Sequence, residues 1–390
     1  MHHASTPATP ARLRILLVIG REALEQLHVQ ERLDYAQQLQ TEGHHVKILI
    51  RAGEGFNLSP RTPLPIYTYQ KSAKRKFAWE GAHGDEVKAG RAALRDLLNR
   101  FIFDVVHVFG GQTASTVVAP ELEDCRLPWL VHMEHEELRS CLLQSVFQQQ
   151  IGAMLHAAHG VTTSTHLGHR LIREWTQRSA MILPAAQEPN RQLMLNVSRS
   201  HTPIVYLRLL GYDREHLNQV LRLVAALQAD TPVLAHLYAP GHKSHVVQEA
   251  AVARQAQLRI HDRISPRMEE TLMRYSNFYL QLNDDSESTQ IERNLLKAMR
   301  YRAAVLTTRH PLVSQITRHM ETALVVPGED EQALLTSARF LIEFPDKQRA
   351  LAERGQQFAN WYLSARRVAH EATAAYHYYV EEAAKDDVAA

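Results

Sequence analysis

The sequence is short of cysteine, of any excess of one charge and of long apolar runs, and each shortage excludes a class of protein. Cys125 and Cys141 are too few for a disulfide scaffold or a zinc cluster, and they suit a reducing cytoplasm. Lys and Arg number 44 against 42 Asp and Glu, so charge gives no reason to expect a nucleic-acid partner. No apolar run approaches the ~18 residues of a membrane span.

Length and composition indicate a globular protein of two domains. A chain of 390 residues exceeds one typical hydrophobic core. Its apolar fraction of 45% and charged fraction of 22% are ordinary for such a protein. Residues 1–13 are small and polar and contain proline, so we expect a disordered leader before a first strand that begins at Arg14.

Apolar strands alternate with helical segments along the chain, which is the pattern of parallel βαβ units. Strands are predicted at residues 14–19, 46–50, 104–109, 129–133, 160–164 and 180–183, and after the polar stretch 190–203 at 204–207, 233–238 and 278–282. We therefore predict an α/β protein with two doubly wound domains, at 14–195 and 203–360.

The carboxyl-terminal region is predicted to be helical, with helices at 330–344, 347–356 and 358–382. The last of these is too long to complete one layer over a sheet. We therefore expect residues 361–390 to form a helix that crosses back to the first domain.

The stretch 287–308 has the pattern of a polar loop, a helix and a strand. Its loop follows the apolar run Phe278–Leu282, and Ile291 and Leu295 start an apolar helix face. Open α/β sheets bind phosphorylated ligands at a polar loop of this kind, between a strand and a helix N-terminus. An ordinary strand-to-helix turn has the same pattern, so the stretch alone leaves both interpretations open.

Five segments of the chain resemble, in order, the local sequences of the retaining glycosyltransferases of family 4, which have the GT-B architecture. The segments are DVVHVFGG (104–111), His159–Arg170, LLKAMRYRAAV (295–305), ALVVPGEDEQALLTSARF (323–340) and Asp346–Phe358. The resemblance implies two Rossmann-like domains that face a central cleft, with a carboxyl-terminal helix that crosses back. It also implies a hexosyltransferase that transfers sugar, with retention, from a nucleotide-sugar to a glycan or lipid-linked acceptor, as in cell-surface polysaccharide synthesis.

The resemblance places the nucleotide-sugar in the second domain. Arg208 and Arg214 follow its first strand, where the family has an arginine and a lysine that neutralise the diphosphate. Fixed cations there lower the barrier, because the leaving diphosphate develops negative charge. Two solvated arginines are the alternative interpretation. The remaining contacts, to ribose or sugar, are expected from Ser288, Thr289, Gln290 and Glu292.

Both donor-site glutamates of the family are missing. Aligned on the family's LLEAM, the second falls at Lys297 and the first, eight residues earlier, at Thr289. Lysine only donates hydrogen bonds and cannot accept them from ribose hydroxyls. The glycine loop after the first strand is also lost, since Gly20 is the only glycine in GREALEQLHVQER. An inactive binding or scaffolding subunit is therefore the alternative hypothesis; an epimerase of this fold would need carboxylates that are not in place.

His132 is the candidate catalytic residue. It ends a strand at the position where family members place a histidine in the acceptor cleft, and a histidine there hydrogen-bonds the sugar or the acceptor hydroxyl near neutral pH. The spacing of His132, His135 and Glu136 fits no strong metal motif. We expect no metal and no cofactor beyond the nucleotide-sugar itself.

A cationic segment of the first domain has two interpretations. It is either a solvated loop or a contact with anionic lipid at the inner face of a membrane, to which a cytoplasmic relative with a lipid-linked acceptor would dock. Its cations are Lys71, Lys74, Arg75 and Lys76. The donor sugar, its nucleotide and the acceptor are not distinguished by the sequence.

Overall fold

The computed structural model describes residues 12–20, 26–51, 64–69, 82–123, 125–143, 145–186, 202–209, 214–240, 242–283 and 288–389, with the backbone alone at 26–28, 82–83, 145–147, 289 and 386–389. The chain divides into two compact units. The first is Met1–Glu188 together with Leu363–Ala390, and the second is Pro189–Tyr362. Among the helices described, none combines the length and the apolar character that a membrane span requires.

The described part of the first unit holds a parallel sheet of seven strands in the order β3-β2-β1-β4-β5-β6-β7. The strands are β1 (Arg14–Ile19), β2 (His45–Arg51), β3 (Ile66–Tyr69), β4 (Val105–Phe109), β5 (Trp129–His132), β6 (Gly160–Thr163) and β7 (Met181–Ile182). The helices are α1 (Gln26–Thr41), α2 (Ala82–Arg100), α3 (Gly111–Thr113), a π-helical turn (Ala114–Val118), α4 (Ala119–Leu122), α5 (His135–Leu142), α6 (Ser145–Ala157), α7 (His166–Thr176) and α15 (Ala365–Ala389).

The described part of the second unit repeats this plan with six parallel strands in the order β10-β9-β8-β11-β12-β13. The strands are β8 (Ile204–Arg208), β9 (Leu234–Tyr238), β10 (Leu258–His261), β11 (Phe278–Gln281), β12 (Ala304–Thr308) and β13 (Leu324–Val326). The helices are α8 (Arg214–Asp230), α9 (Ser244–Ala253), α10 (Pro266–Tyr275), α11 (Thr289–Arg300), α12 (Pro311–Ile316), α13 (Glu331–Glu343) and α14 (Pro345–Tyr362). The predicted α/β class with two doubly wound sheets is confirmed.

The central strands are buried on both faces, which explains why they read as continuous apolar runs. Strands β4, β5, β6 and β12 are buried along their whole length. In β8, Val205 and Leu207 join the apolar core that α8 covers. Tyr206 belongs to the opposite face, because alternate side chains of a strand point to opposite sides. It pairs in register with Tyr279 of β11, and the two ring centroids lie 5.5 Å apart.

Two predictions about secondary structure are wrong. Residues Ile66–Tyr69 form the short edge strand β3, where no strand was predicted. The last two helices are separated at residues 363–364 and not at 357, because Ser364 begins α15 by accepting a hydrogen bond from the backbone N–H of Arg367 at 3.2 Å. The position of this break decides where the second unit ends.

The carboxyl-terminal helix α15 belongs to the core of the first unit. Tyr376, in its middle, is fully buried. Its hydroxyl lies 2.5 Å from that of Tyr35 in α1 and 2.6 Å from Nδ1 of His107 in β4. Helix α15 is therefore fixed to the first unit by buried polar contacts as well as by apolar packing.

Two stacked histidines in the second unit predict that it loses stability in acid. His236 of β9 and His261 of β10 lie with ring planes 9° apart and with Nδ1 of the first 3.1 Å from Nε2 of the second. Burial, and then the neighbouring His261 and Arg259, lower the pKa of His236 to about 4. The unfolded chain takes up this proton near the ordinary pKa of about 6.5. The free energy of unfolding therefore decreases as the pH falls from about 6.5 to about 4, because in this range the unfolded chain binds the proton and the folded chain does not.

We expect His236→Gln to reduce the loss of stability in this range, because glutamine takes up no proton in either state. Urea denaturation at about pH 7 and about pH 5 measures the free energy of unfolding at the two ends of the comparison. The exposed His245 of α9, in the same unit, supplies the matched control, and His245→Gln should follow the parent protein. Equal pH profiles for all three proteins would show that His236 has no part in the acid sensitivity.

Candidate functional site

Polar side chains collect at the carboxyl end of the second sheet where the strand order reverses. Arg208, the last residue of β8, is the register partner of Gln281 at the end of β11. Strands β8 and β11 are neighbours at the centre of the sheet. The strands that follow β8 in the chain lie on one side, and those that follow β11 lie on the other. Open α/β sheets bind ligands in the crevice beyond the strand ends at such a point.

Arg208 is held by a carboxylate that the sequence did not indicate. Its guanidinium forms an ion pair with Glu269 of α10, and both side chains are largely buried. The hydroxyl of Tyr206 donates to the same carboxylate at 3.4 Å, and burial raises the pKa of this tyrosine, so the hydroxyl keeps its proton. The guanidinium also lies over the ring of Tyr238, 5.0 Å from its centroid.

Lys297 joins the same cluster from α11. Its Nζ lies 2.5 Å from Oε2 of Glu269, and about a third of its side chain is exposed. Glu269 thus bridges two cations, one from a strand end and one from a helix, and the three side chains together carry a net positive charge. Lys297, at the position where the family resemblance places a glutamate, is therefore matched by a carboxylate from a different helix.

The other predicted donor residues are spread along the start of two helices. Ser288 caps α11, since its hydroxyl accepts from the N–H of Gln290 at 3.2 Å, and Gln290 itself is exposed. Glu292 is buried in the first turn. The side chain of Thr289 lies outside the described residues. Arg214 is exposed at the first residue of α8.

Buried amides fix the ends of β11 and β12 beside this cluster. The backbone N–H of Asn283 donates to Thr308 Oγ1 at 2.8 Å, and its side-chain amide donates to Thr307 Oγ1 at 2.8 Å. Gln281 in turn donates to the amide oxygen of Asn283 at 2.8 Å. These bonds satisfy polar groups that are out of contact with water, and they hold the strand ends in one arrangement.

In the first unit, His132 is enclosed by other polar side chains. It ends β5 and is buried, and its Nδ1 lies 3.0 Å from Oγ1 of Thr162. Its Nε2 lies 3.1 Å from Nη2 of Arg32, 3.2 Å from Oγ of Ser164 and 3.3 Å from Oε1 of Glu134. Such a histidine has little surface of its own with which to contact a ligand.

Arg32 and Glu134 form the charged part of this second cluster. Arg32 donates from Nη2 to Oε1 of Glu134 at 3.0 Å, and its guanidinium lies over the ring of Phe109, 4.5 Å from the centroid. Ser164 donates to the same carboxylate oxygen at 2.5 Å. The cluster lies at the carboxyl ends of β5 and β6, the edge at which the sheet of a Rossmann-like unit binds ligands.

Sequence reasoning missed Glu269, Arg32 and Glu134. A usable signal existed for Glu269, because a lysine at a carboxylate position beside an arginine requires a new negative partner. For Arg32 and Glu134 no spacing in the sequence joins helix α1 to the end of β5. The cations Lys71, Lys74, Arg75 and Lys76 lie outside the described residues. Within the described ranges, no group of three or more metal-ligating side chains comes together.

Solved structures resemble this chain over nearly its whole length, although no family model and no curated protein matches its sequence. A glycosyltransferase from Rickettsia africae superposes with a TM-score of 0.66 at 10% identity, over 95% of this chain and 99% of that one. Sucrose-phosphate synthase from Thermosynechococcus elongatus gives 0.62 at 13% identity, over 93% and 98%. HepE from Anabaena, solved with UDP and glucose, gives 0.61 at 13% identity, over 93% and 99%. The chain has the GT-B fold.

Removal of the bridging carboxylate should destabilise the second unit more than removal of an exposed one. We expect Glu269→Gln to lower the free energy of unfolding by about 3 kcal/mol, because it leaves the largely buried Arg208 without its counter-charge. Lys297→Gln should cost about 1 kcal/mol, since that side chain reaches solvent. Chemical denaturation measures both changes.

The control is Glu331→Gln, which removes an exposed partner of Arg222 and should change stability by less than about 1 kcal/mol. If Glu269→Gln costs no more than this control, the bridging carboxylate does not hold the cluster together.

Proposed function

We propose that this protein is a glycosyltransferase that transfers a sugar, with retention, from a nucleotide-sugar to a glycan or lipid-linked acceptor of the kind used in cell-surface polysaccharide synthesis. The single observation that carries the proposal is the pair of cations, Arg208 and Lys297, at the switch point of the second sheet. The GT-B fold supports it, since solved neighbours of that fold include HepE with UDP and glucose.

The cation pair is suited to a diphosphate. Arg208 offers a planar fork of N–H donors, and Lys297 offers a compact ammonium group. Negative charge grows on the leaving nucleoside diphosphate as the sugar bond breaks, and fixed cations at that place stabilise the transition state more than the ground state. In this proposal the two cations supply that charge without a metal.

Glu269 determines how much positive charge Arg208 and Lys297 present to a diphosphate. In the described structure it already neutralises part of the positive charge of Arg208 and Lys297. A diphosphate carries more negative charge than one carboxylate, so it draws both cations toward itself while Glu269 keeps their other donors in place. The carboxylate thus positions the cations without needing to leave them.

The ribose and the sugar are assigned to the start of α11. Lys297 is a donor only, so a hydrogen-bond acceptor for the ribose hydroxyls has to come from elsewhere. The exposed amide of Gln290 provides an acceptor oxygen in the first turn, next to Ser288. Thr289 and the buried Glu292 complete the proposed contacts, with Arg214 as a third cation at the start of α8.

The proposal also includes a place of action and an acceptor side. A lipid-linked acceptor would bring the protein to the inner membrane face, and the cations of segment 71–76 would contact anionic lipid there. On the acceptor side, the candidate group is His132 with the cluster that surrounds it. No nucleic-acid partner is proposed.

A second function is favoured by one observation, the ion pair between Arg208 and Glu269. An arginine whose charge is already satisfied inside the protein behaves like a structural group, as in a binding or scaffolding subunit that has lost transfer activity. Such a subunit would bind no nucleotide-sugar and would copurify with a catalytic partner. Donor binding therefore separates the two functions.

Calorimetric titration with uridine and guanosine diphosphates and their sugar derivatives tests the proposal. We expect one of these nucleotides to bind, and Arg208→Ala to weaken its binding by about 10-fold to 100-fold, because a charge-assisted hydrogen bond to phosphate is lost. Lys297→Gln should weaken binding in the same direction.

Arg318→Ala is the matched control, because Arg318 is a highly exposed arginine of the same unit and its loss should leave binding unchanged. Circular dichroism confirms that each variant is folded. Absence of binding for every nucleotide, with the parent protein folded, would refute the proposal in favour of the scaffolding function.

A further inference from the structure

A chain of buried hydrogen bonds runs from helix α15 to His132. The hydroxyl of Tyr376 contacts Nδ1 of His107 at 2.6 Å, and Nε2 of His107 contacts Thr162 Oγ1 at 3.1 Å. Thr162 Oγ1 in turn contacts Nδ1 of His132 at 3.0 Å. At the far end, Tyr376 contacts the hydroxyl of Tyr35. Every member of the chain is buried.

The contact with Arg32 decides which atoms donate and which accept along this chain of hydrogen bonds. Nε2 of His132 lies 3.1 Å from Nη2 of Arg32, which only donates, 3.3 Å from Oε1 of Glu134, which only accepts, and 3.2 Å from Oγ of Ser164. The shortest of these contacts assigns the acceptor role to Nε2. With this assignment the proton of the His132 ring is on Nδ1 and is donated to Thr162. One hydrogen of Nη2 is then available to Nε2 and the other to Oε1 of Glu134.

The remaining bonds continue in the same direction. Thr162, having accepted from His132, donates to Nε2 of His107. Burial holds the pKa of His107 well below its ordinary value, so this ring is neutral and donates from Nδ1 to Tyr376. Tyr376 then donates to Tyr35; burial raises the pKa of both hydroxyls, which keep their protons. The chain therefore links the tautomer of His132, which Arg32 selects, to the hydroxyl of Tyr376 in helix α15.

The charged cluster around His132 reaches the surface at one side chain. The exposed fraction is 2% for the side chain of His132 and 4% for that of Arg32, but 24% for that of Glu134. Glu134 follows the end of β5 directly before α5, at the ligand-binding edge of the sheet. A ligand that approaches this cluster meets the carboxylate first.

We infer that Glu134 is the acceptor-binding group of the first unit and that it takes a hydrogen bond from a saccharide hydroxyl, while His132 and Arg32 are positioning residues behind it. The inference rests on the proposed function for its ligand class, the polyol hydroxyls of a glycan. It assigns to His132 a role different from direct contact with the sugar. A fixed carboxylate is suited to the task, because it is ionised, accepts only, and is already oriented by Arg32 and Ser164.

The tautomer is tested first, by two-bond proton–nitrogen correlation spectra of protein labelled with nitrogen-15 in histidine. His132 is assigned from the signals lost in His132→Gln. We expect a protonated Nδ1 and a bare Nε2. Tyr376→Phe should move His132 toward the other tautomer, whereas Tyr35→Phe should leave it unchanged. An Nε2-protonated or doubly protonated His132 in the parent protein would overturn the assignment of His132 as a positioning residue.

Binding is tested with methyl glycosides of glucose, galactose and mannose, with and without uridine diphosphate, by saturation-transfer spectra. We expect at least one glycoside to bind, Glu134→Gln to weaken it by about 10-fold or more, and Glu136→Gln to bind as the parent does. Glu136 is the matched control because it is an exposed glutamate two residues away. Absence of glycoside binding to the parent, or equal binding by Glu134→Gln, would overturn the inference.

The experiments can refute the proposed donor site and the proposed role of Glu134 independently of each other. Loss of the glycoside site with intact nucleotide binding leaves the donor assignment standing and removes only the role of Glu134. Glycoside binding that depends on Glu134, without any nucleotide binding, supports a saccharide-binding subunit and removes the transfer activity. Glu134→Gln should also leave nucleotide affinity unchanged, and a joint loss of both would contradict the assignment of Glu134 to the acceptor.

Discussion

The structure depends on the pairing of charged side chains that are buried on folding. A charged side chain that is largely buried requires a partner of opposite charge. In the second unit Arg208, at the end of β8, meets this condition through Glu269, and in the first unit Arg32, in helix α1, meets it through Glu134. In each unit a carboxylate thus holds a buried guanidinium at the carboxyl-terminal edge of the sheet.

This constraint explains how Lys297 is accommodated at a position where the family resemblance places a glutamate. A lysine in place of a glutamate beside Arg208 would put two cations together, at a cost of several kcal/mol if neither were compensated. Glu269 compensates both at once. The cluster therefore contains a carboxylate among its charges, and it comes from α10, whereas the resemblance places the family's glutamates in α11.

Much of the fold and part of the site follow from the sequence, and the reasons are specific. Buried parallel strands are long apolar runs, so β1, β4 and β11 were predicted close to their observed bounds. Arg208 and His132 were predicted as site residues from the family resemblance, and the structure places both at the ends of such strands. Strand β3 was missed because it is a four-residue edge strand, half exposed, whose alternation is too short to stand out.

Local sequence patterns could not predict the carboxylate partners of Arg208 and Arg32. Glu269 lies 61 positions from Arg208, and Glu134 lies 102 positions from Arg32. No helical or strand period connects such pairs, and either carboxylate alone looks like one of many on a solvated helix. Local patterns are still less able to predict the chain of hydrogen bonds at His132, because it includes a tyrosine in the last helix.

The packing of Tyr376 against Tyr35 and His107 has a consequence for the order in which the chain is made. The first unit is encoded in two pieces, and the ribosome has to synthesise all of Pro189–Tyr362 between them. At ordinary rates of elongation this takes on the order of ten seconds or more. During that interval the groove on α1 and β4 lacks its helix, and its apolar and polar groups stay open to water or to a chaperone. The nascent first unit therefore completes its core only after the second has had time to fold.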